Sequence, residues 1–164
     1  MLNRNPALKF VEYYLLLVSV VHVVIGTYLS IKKGKISLNK GFFMFTGFVV
    51  LAFIVTHLQT FKFGPDYRIK VPGVADEVRD LFRLEEEVFS NLNIVAWYVF
   101  ATSVLGWHLW RGWEKAVFNL DFVKDNKENR EAGKAVGHFL IWPLTLGFIS
   151  TPVWFYYRST VSSA

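Results

Sequence analysis

The stretch Gly106-Trp107-His108-Leu109-Trp110-Arg111-Gly112-Trp113 closes an uncharged run that begins at Val88, directly after Glu87. A helix needs roughly 20 apolar residues to cross a bilayer, and this run is long enough. It contains one histidine, His108. An ionisable side chain inside a membrane span is costly, so we treat His108 as a candidate functional residue.

Three other runs have the same character, at residues 13–31, 41–61 and 135–157. In lipid the backbone polar groups must be satisfied within the segment, so each run is predicted to be a helix. Pro143 and Pro152 lie inside the last run and predict a kink there. The predicted helices are about 8–31, 41–61, 88–117 and 134–158.

Composition agrees with a membrane protein and narrows its chemistry. The 164 residues predict a single domain, residues 1–164, and 53% of them are hydrophobic. No cysteine is present, which excludes disulfides and iron–sulfur ligation by this chain. The net charge of +5 comes from basic residues in the loops between apolar runs. That placement fits membrane orientation and a lipid bilayer partner, and no nucleic acid is expected.

The connections predict both orientation and one further helix. Residues 32–40 contain lysines and no acid, which places this short loop in the cytoplasm and both termini outside. Residues 62–87 open with the turn signals Gly64-Pro65-Asp66 and Pro72-Gly73. Residues 76–89 then form an amphipathic pattern. The predicted fold is therefore all-α: a membrane-embedded bundle of four transmembrane helices, with an amphipathic extramembrane helix between the second and third.

Each of the four histidines lies in a different apolar run. His22 and His108 fall at similar predicted depth on parallel helices, in the cytoplasmic half. Gly26 and Gly112 follow them by four residues, which puts each glycine on the face of its histidine. Two such imidazoles favour a bis-imidazole haem. The alternative is that each histidine only hydrogen-bonds a neighbouring helix.

The remaining candidates lie nearer the helix ends. His57 is near the outer end of the second helix, and His138 opens the fourth at the inner side. Glu12, near the outer end of the first, is either a hydrated boundary residue or a proton acceptor.

Five stretches of the chain stand in a recognisable order: Glu12 through Leu29 with His22, His57-Leu58-Gln59-Thr60-Phe61, Glu87-Val88-Phe89-Ser90-Asn91, His108-Leu109-Trp110-Arg111-Gly112-Trp113-Glu114-Lys115-Ala116, and Gly147-Phe148-Ile149-Ser150-Thr151-Pro152-Val153. In this order they resemble helices two to five of the membrane-anchor cytochrome b subunit of succinate:quinone and quinol:fumarate oxidoreductases. The fourth stretch is similar to that family's His-Leu-x-His-Gly-x-x-Ser-Ala segment. The resemblance covers most of the chain.

The resemblance implies a site for each candidate. It makes His22 and His108 the ligands of the haem b nearer the cytoplasm, with Gly26, Gly112 and Arg111 beside it. Arg111 replaces the second histidine of the family's pattern, so that ligand does not carry over.

The resemblance also leaves a second site open. His57 corresponds to one ligand of a second haem, and the family's first helix, which bears the other, has no counterpart. His57 and His138 are thus candidates for a second haem or a quinone site, and Glu12 for a quinol proton site. Either one haem or two are expected, and a separate small membrane subunit could supply the missing helix.

By resemblance the chain is a non-catalytic subunit. It would anchor a flavoprotein and an iron–sulfur subunit to the bacterial cytoplasmic membrane or the mitochondrial inner membrane, and pass electrons through haem b to quinone. The alternatives are an independent membrane cytochrome b and a haem-free scaffold for other membrane subunits.

Overall fold

The four apolar runs form the four long helices of the computed structural model, which describes residues 6–32, 38–119, 124 and 126–162. The described elements are α1 (Pro6–Lys32), α2 (Leu38–His57), β1 (Arg68–Ile69), β2 (Val78–Arg79), α3 (Leu81–Val88), α4 (Leu92–Asn119) and α5 (Lys127–Ser162). A π-helix, Leu58–Lys62, continues α2.

Four of these helices are long and apolar enough to cross a membrane, as predicted. The candidate spans are Lys9–Lys32, Gly41–Lys62, Leu92–Phe118 and Lys127–Val161. The mostly helical character and the number of apolar helices are therefore confirmed.

Side-chain caps set where α4 and α5 begin, and neither start matches the prediction. The Asn91 side-chain oxygen accepts the backbone N–H of Asn93 at 2.9 Å, so α4 begins at Leu92 and not at 88. The Asn126 oxygen accepts the N–H of Asn129 at 2.8 Å. This cap starts α5 at Lys127, seven residues before the predicted position 134. The prediction is wrong there because Asn126 lies in a stretch with the composition of a polar loop.

The connection between α2 and α3 contains a small antiparallel hairpin. Arg68 pairs with Arg79 and Ile69 with Val78. Gly73 turns the chain with φ of +84°, a conformation that favours glycine. The structure differs here from the predicted helix over 76–89. Strand pairing takes residues 78–79, so the helix begins only at Leu81 and ends at Val88.

The chain divides into two units, residues 1–47 with 66–81, and residues 48–65 with 82–164. The first contains α1, the start of α2 and the hairpin. There Asp66 forms ion pairs with Arg68 and Arg79. The second contains the end of α2, α3, α4 and α5.

The core of the second unit is aromatic and lies where α3, α4 and α5 meet. Phe89, Val95, Tyr98 and Phe155 are buried together. The rings of Phe89 and Tyr98 meet edge to face, with centroids 5.1 Å apart. Phe82 packs against Phe155 at 5.3 Å, which holds α3 against α5.

Helices α4 and α5 approach closely because glycines line their contact. The Trp113 indole lies against Gly137, where an added Cβ would come within 2.6 Å of its Cδ1. The same indole donates a hydrogen bond to the Gly133 carbonyl at 2.9 Å. At Gly106 an added Cβ would overlap Thr145. Small residues in this way let two apolar helices pack backbone to side chain.

Helix α5 continues through both of its prolines, Pro143 and Pro152. Each proline removes one backbone donor from the helix interior. Nearby hydroxyls bond carbonyls of the same helix: Ser150 and Thr151 both donate to the Gly147 carbonyl.

The contact at Gly137 predicts a large difference between two substitutions on α5. Gly137→Ala should lower stability by about 1–3 kcal/mol, since the new methyl group forces Trp113 out of place. Gly147→Ala meets nothing within 4 Å. It should raise stability by about 0.5–1 kcal/mol, because alanine favours a helix over glycine. Thermal unfolding of both variants in one detergent measures the difference. Equal melting temperatures for the two would contradict the proposed packing.

Candidate functional site

The structure places one histidine in each long helix. His22 lies in α1, in the first unit, and His57, His108 and His138 lie in the second. The predicted pair of His22 and His108 is therefore divided between the units, and the surroundings of each are described in its own unit.

The surface of α1 is open one turn beyond His22. His22 and Gly26 are both exposed on α1, one turn apart. A Cβ added at Gly26 would meet no atom within 4 Å. The face of α1 that carries this imidazole can therefore accept a flat group against its backbone. Glu12, the candidate proton acceptor, is half-buried near the start of the same helix.

His108 lies on the face of α4 that is turned away from α5. Gly106 contacts Thr145 of α5, and successive helical residues are about 100° apart. His108, two residues on, therefore points to the opposite side. It shares that side with Trp97, three turns earlier, whose indole donates to Thr56 Oγ1 of α2 at 3.1 Å. His108 is half-buried there.

Gly112 leaves open helix backbone one turn beyond His108, as Gly26 does beyond His22. It follows the histidine by one turn, and an added Cβ would meet no atom within 4 Å. Beside it Arg111 is exposed, with its guanidinium 5.8 Å from the centre of the Trp107 ring. Each of these two imidazoles, considered within its own unit, therefore has open helix backbone one turn further on. Among the described residues no three His, Asp or Glu side chains converge as ligands of a non-haem metal ion.

His57 lies at the junction of α2 with the π-helix, with its side chain exposed at the edge of an aromatic cluster. Its ring centroid lies 5.0 Å from Phe61, 5.8 Å from Phe53 and 6.3 Å from Tyr98. π-Helical turns are rare and often mark functional sites. The sequence prediction included His57 but not these three rings. The spacing of Phe53, His57 and Phe61, every fourth residue, is the signal that could have identified two of them.

Tyr98 adds a polar atom to this cluster. The residue is 6% exposed, and its hydroxyl makes no hydrogen bond within the described part of the chain. Thr60 is near enough to influence the hydroxyl, but the geometry is not that of a hydrogen bond. A buried hydroxyl without a partner costs free energy, so a ligand that bonded Tyr98 would recover it.

His138 lies in a different environment from His57. Its Nδ1 accepts the Trp142 indole N–H at 2.9 Å, and its ring centroid lies 5.5 Å from Trp110. The side chain is exposed. The two histidines of the proposed second site are thus held by separate sets of aromatic residues.

Helix α3 presents two acids that the sequence prediction did not single out. The Glu86 carboxylate lies 3.5 Å from the Arg158 guanidinium, which also stacks 4.9 Å above the Phe82 ring. Glu85 is half-buried one turn before Phe89. Partial burial raises the pKa of the Glu85 carboxyl above its ordinary value of 4.5.

Comparison with known proteins gave no matching family model, no similar curated sequence and no similar solved structure.

The raised pKa of Glu85 predicts a pH-dependent effect of its substitution. Ionised Glu85 is less favourable in the folded than in the unfolded protein, so its cost is present at neutral pH. The cost declines as the pH falls through the raised pKa and vanishes below the ordinary value of 4.5. Glu85→Gln should therefore raise the melting temperature at pH 7 and lose this advantage toward pH 4.

Glu77→Gln, at an exposed position, is the matched control and should leave the melting temperature unchanged at both pH values. A Glu85→Gln advantage that grew on acidification would contradict the assignment.

Proposed function

We propose that this chain is the membrane-anchor cytochrome b subunit of a succinate:quinone or quinol:fumarate oxidoreductase complex. The observation that carries the proposal is the arrangement of its histidines, one to each long apolar helix. Two of them, His22 and His108, have a glycine with open space one turn further along. The order of the five stretches that resemble this family supports the same assignment.

In this proposal His22 and His108 would hold haem b, which when bound supplies reversible one-electron transfer. Gly26 and Gly112 leave the helix backbone open to the flat ring. Arg111 is exposed beside Gly112. Its guanidinium is a permanent charge that can pair with carboxylates, and so would offset the haem propionates.

The proposed surroundings follow from the loop charges. Loop 32–40 and the polar ends of α4 and α5 face the cytoplasm, where the iron–sulfur and flavoprotein subunits would dock. Both termini and the amphipathic helix α3 lie on the outer side. The ion pair of Glu86 with Arg158 links α3 to the C-terminal end of α5, which supports placing these two on the same side of the membrane. The membrane is the bacterial cytoplasmic or the mitochondrial inner membrane.

The haem ligands can be tested in the purified complex by optical and paramagnetic resonance spectra. His22→Ala and His108→Ala should each abolish the same low-spin haem signal, since both imidazoles bind one iron. Ser19→Ala and Ser103→Ala are matched controls on the same helices. Their hydroxyls bond the Leu15 and Val99 carbonyls within their own helix. These two variants should keep the full signal.

A full bis-imidazole spectrum in either histidine variant would show the pairing to be wrong. Co-purification with a flavoprotein distinguishes the anchor from an independent cytochrome b. A protein without any haem spectrum in the intact complex would instead be a scaffold.

We further propose that His57 ligates a second haem together with a histidine of another small membrane subunit. Its own neighbours in α2 and α4 are Phe53, Phe61 and Tyr98 rings, so the second ligand would come from outside this cluster. The competing arrangement has one haem, with His57 and the unbonded Tyr98 hydroxyl lining a quinone pocket.

Haem counting separates these two arrangements. For a split haem site, the purified complex should contain two haems, and His57→Ala should reduce the count to one. His138→Ala is the control and should leave two, because its ring is held by Trp142 and Trp110 instead. One haem in both the parent complex and His57→Ala would exclude the split site.

A further inference from the structure

One flank of the α4–α5 pair carries aromatic and basic side chains, of which the proposed function uses only Arg111. The Trp110 ring centroid lies 5.5 Å from that of His138 and 6.4 Å from that of Trp142. We call this side the Trp110 flank. Its members are Trp107, Trp110 and Arg111 of α4, and Lys134, His138 and Trp142 of α5. Trp110 points away from His108, which is turned away from α5, and Arg111, three residues after His108, lies at the border of the two faces.

The hydrogen bond within this flank fixes the proton of His138. An indole N–H can only donate, so the Trp142 Nε1–H makes His138 Nδ1 the acceptor. In a neutral imidazole the single proton is then on Nε2. Because the His138 side chain is exposed, its Nε2–H is available as a donor to a molecule outside the protein.

Two cations lie toward the same end of the α4–α5 pair. Arg111 is the first charged residue after the apolar run of α4, and Lys134 is the last before the apolar run of α5. Both side chains are exposed. In a helix that crosses a bilayer this boundary lies at the lipid headgroups, where tryptophan rings also concentrate. A phosphate group accepts hydrogen bonds from guanidinium and imidazole N–H groups alike.

We propose that the Trp110 flank binds the phosphate of an anionic phospholipid in the adjacent leaflet. The Arg111 guanidinium and the His138 Nε2–H donate to the phosphate oxygens, and the Trp110 ring packs against the glycerol and upper acyl chains. Trp142 acts by holding the imidazole in the donating form. The proposal depends on α4 and α5 crossing the membrane. It shares only Arg111 with the proposed haem site, so His138→Phe tests it without a change at that site.

The test is lipid titration of the purified protein in detergent, followed by native mass spectrometry. Phosphatidylglycerol is the probe, and phosphatidylcholine is the zwitterionic comparison. Arg111→Gln should weaken phosphatidylglycerol binding about fivefold, the value of one basic residue at a lipid surface. His138→Phe keeps an aromatic ring but removes the donor, and should weaken binding roughly tenfold. Arg111→Lys should retain most of the affinity, because it keeps the charge.

Arg158→Gln is the matched control at the far end of α5. Its guanidinium already lies 3.5 Å from Glu86 and stacks on Phe82, so phosphatidylglycerol affinity should not change. Without lipid, Arg111→Gln and His138→Phe should keep the melting temperature of the parent protein, because both side chains are exposed. A lower lipid affinity is then not due to a loss of the fold.

Three results would overturn the proposal. One is equal affinity for phosphatidylcholine and phosphatidylglycerol. Another is parent-like phosphatidylglycerol binding by both Arg111→Gln and His138→Phe. The third is displacement of the lipid by an equal concentration of inorganic phosphate, which would make the site one for the free ion.

Discussion

The second unit depends on one contact, in which the Trp113 indole packs against the backbone of α5 at Gly137. The indole can lie against α5 because position 137 has no side chain, and it bonds the Gly133 carbonyl from there. Apolar helices gain little from meeting each other in lipid, since the lipid tails are equally apolar. Close approach and interhelical hydrogen bonds must then supply the association, and Trp113 contributes both.

This contact also decides what the two flanks of α4 can do. With Gly106 and Trp113 turned toward α5, His108 and Gly112 fall on the opposite side and Trp110 falls between the two helices. A redox cofactor and a lipid headgroup would thus occupy different sides of one helix and share only Arg111, at the border between those sides. The division is a consequence of helical geometry, in which residues two apart point in opposite directions.

The four long helices could be predicted from the sequence, because uncharged apolar runs of that length are typical of membrane-spanning helices. It did not predict the early start of α5, where the deciding atom is one amide oxygen of Asn126 in a polar stretch. Nor did it predict the strand pairing of Val78, which overrides an amphipathic helical pattern. Among the site residues, the histidines and their glycines were visible as spacing. Tyr98 was not, because its place beside His57 depends on how α4 packs against α2.

The two prolines of α5 bear on how the protein would fit membranes of different thickness. At 1.5 Å per residue its 36 residues extend about 54 Å, well beyond a hydrocarbon core of about 30 Å. The helix is held at Gly137 by Trp113 and at Phe155 by Phe89 and Phe82, points roughly 27 Å apart. Pro143 and Pro152 both lie between them, where each leaves the helix short of one hydrogen bond. A thinner or thicker bilayer would therefore be accommodated by bending between the two anchors, and neither contact would need to slip.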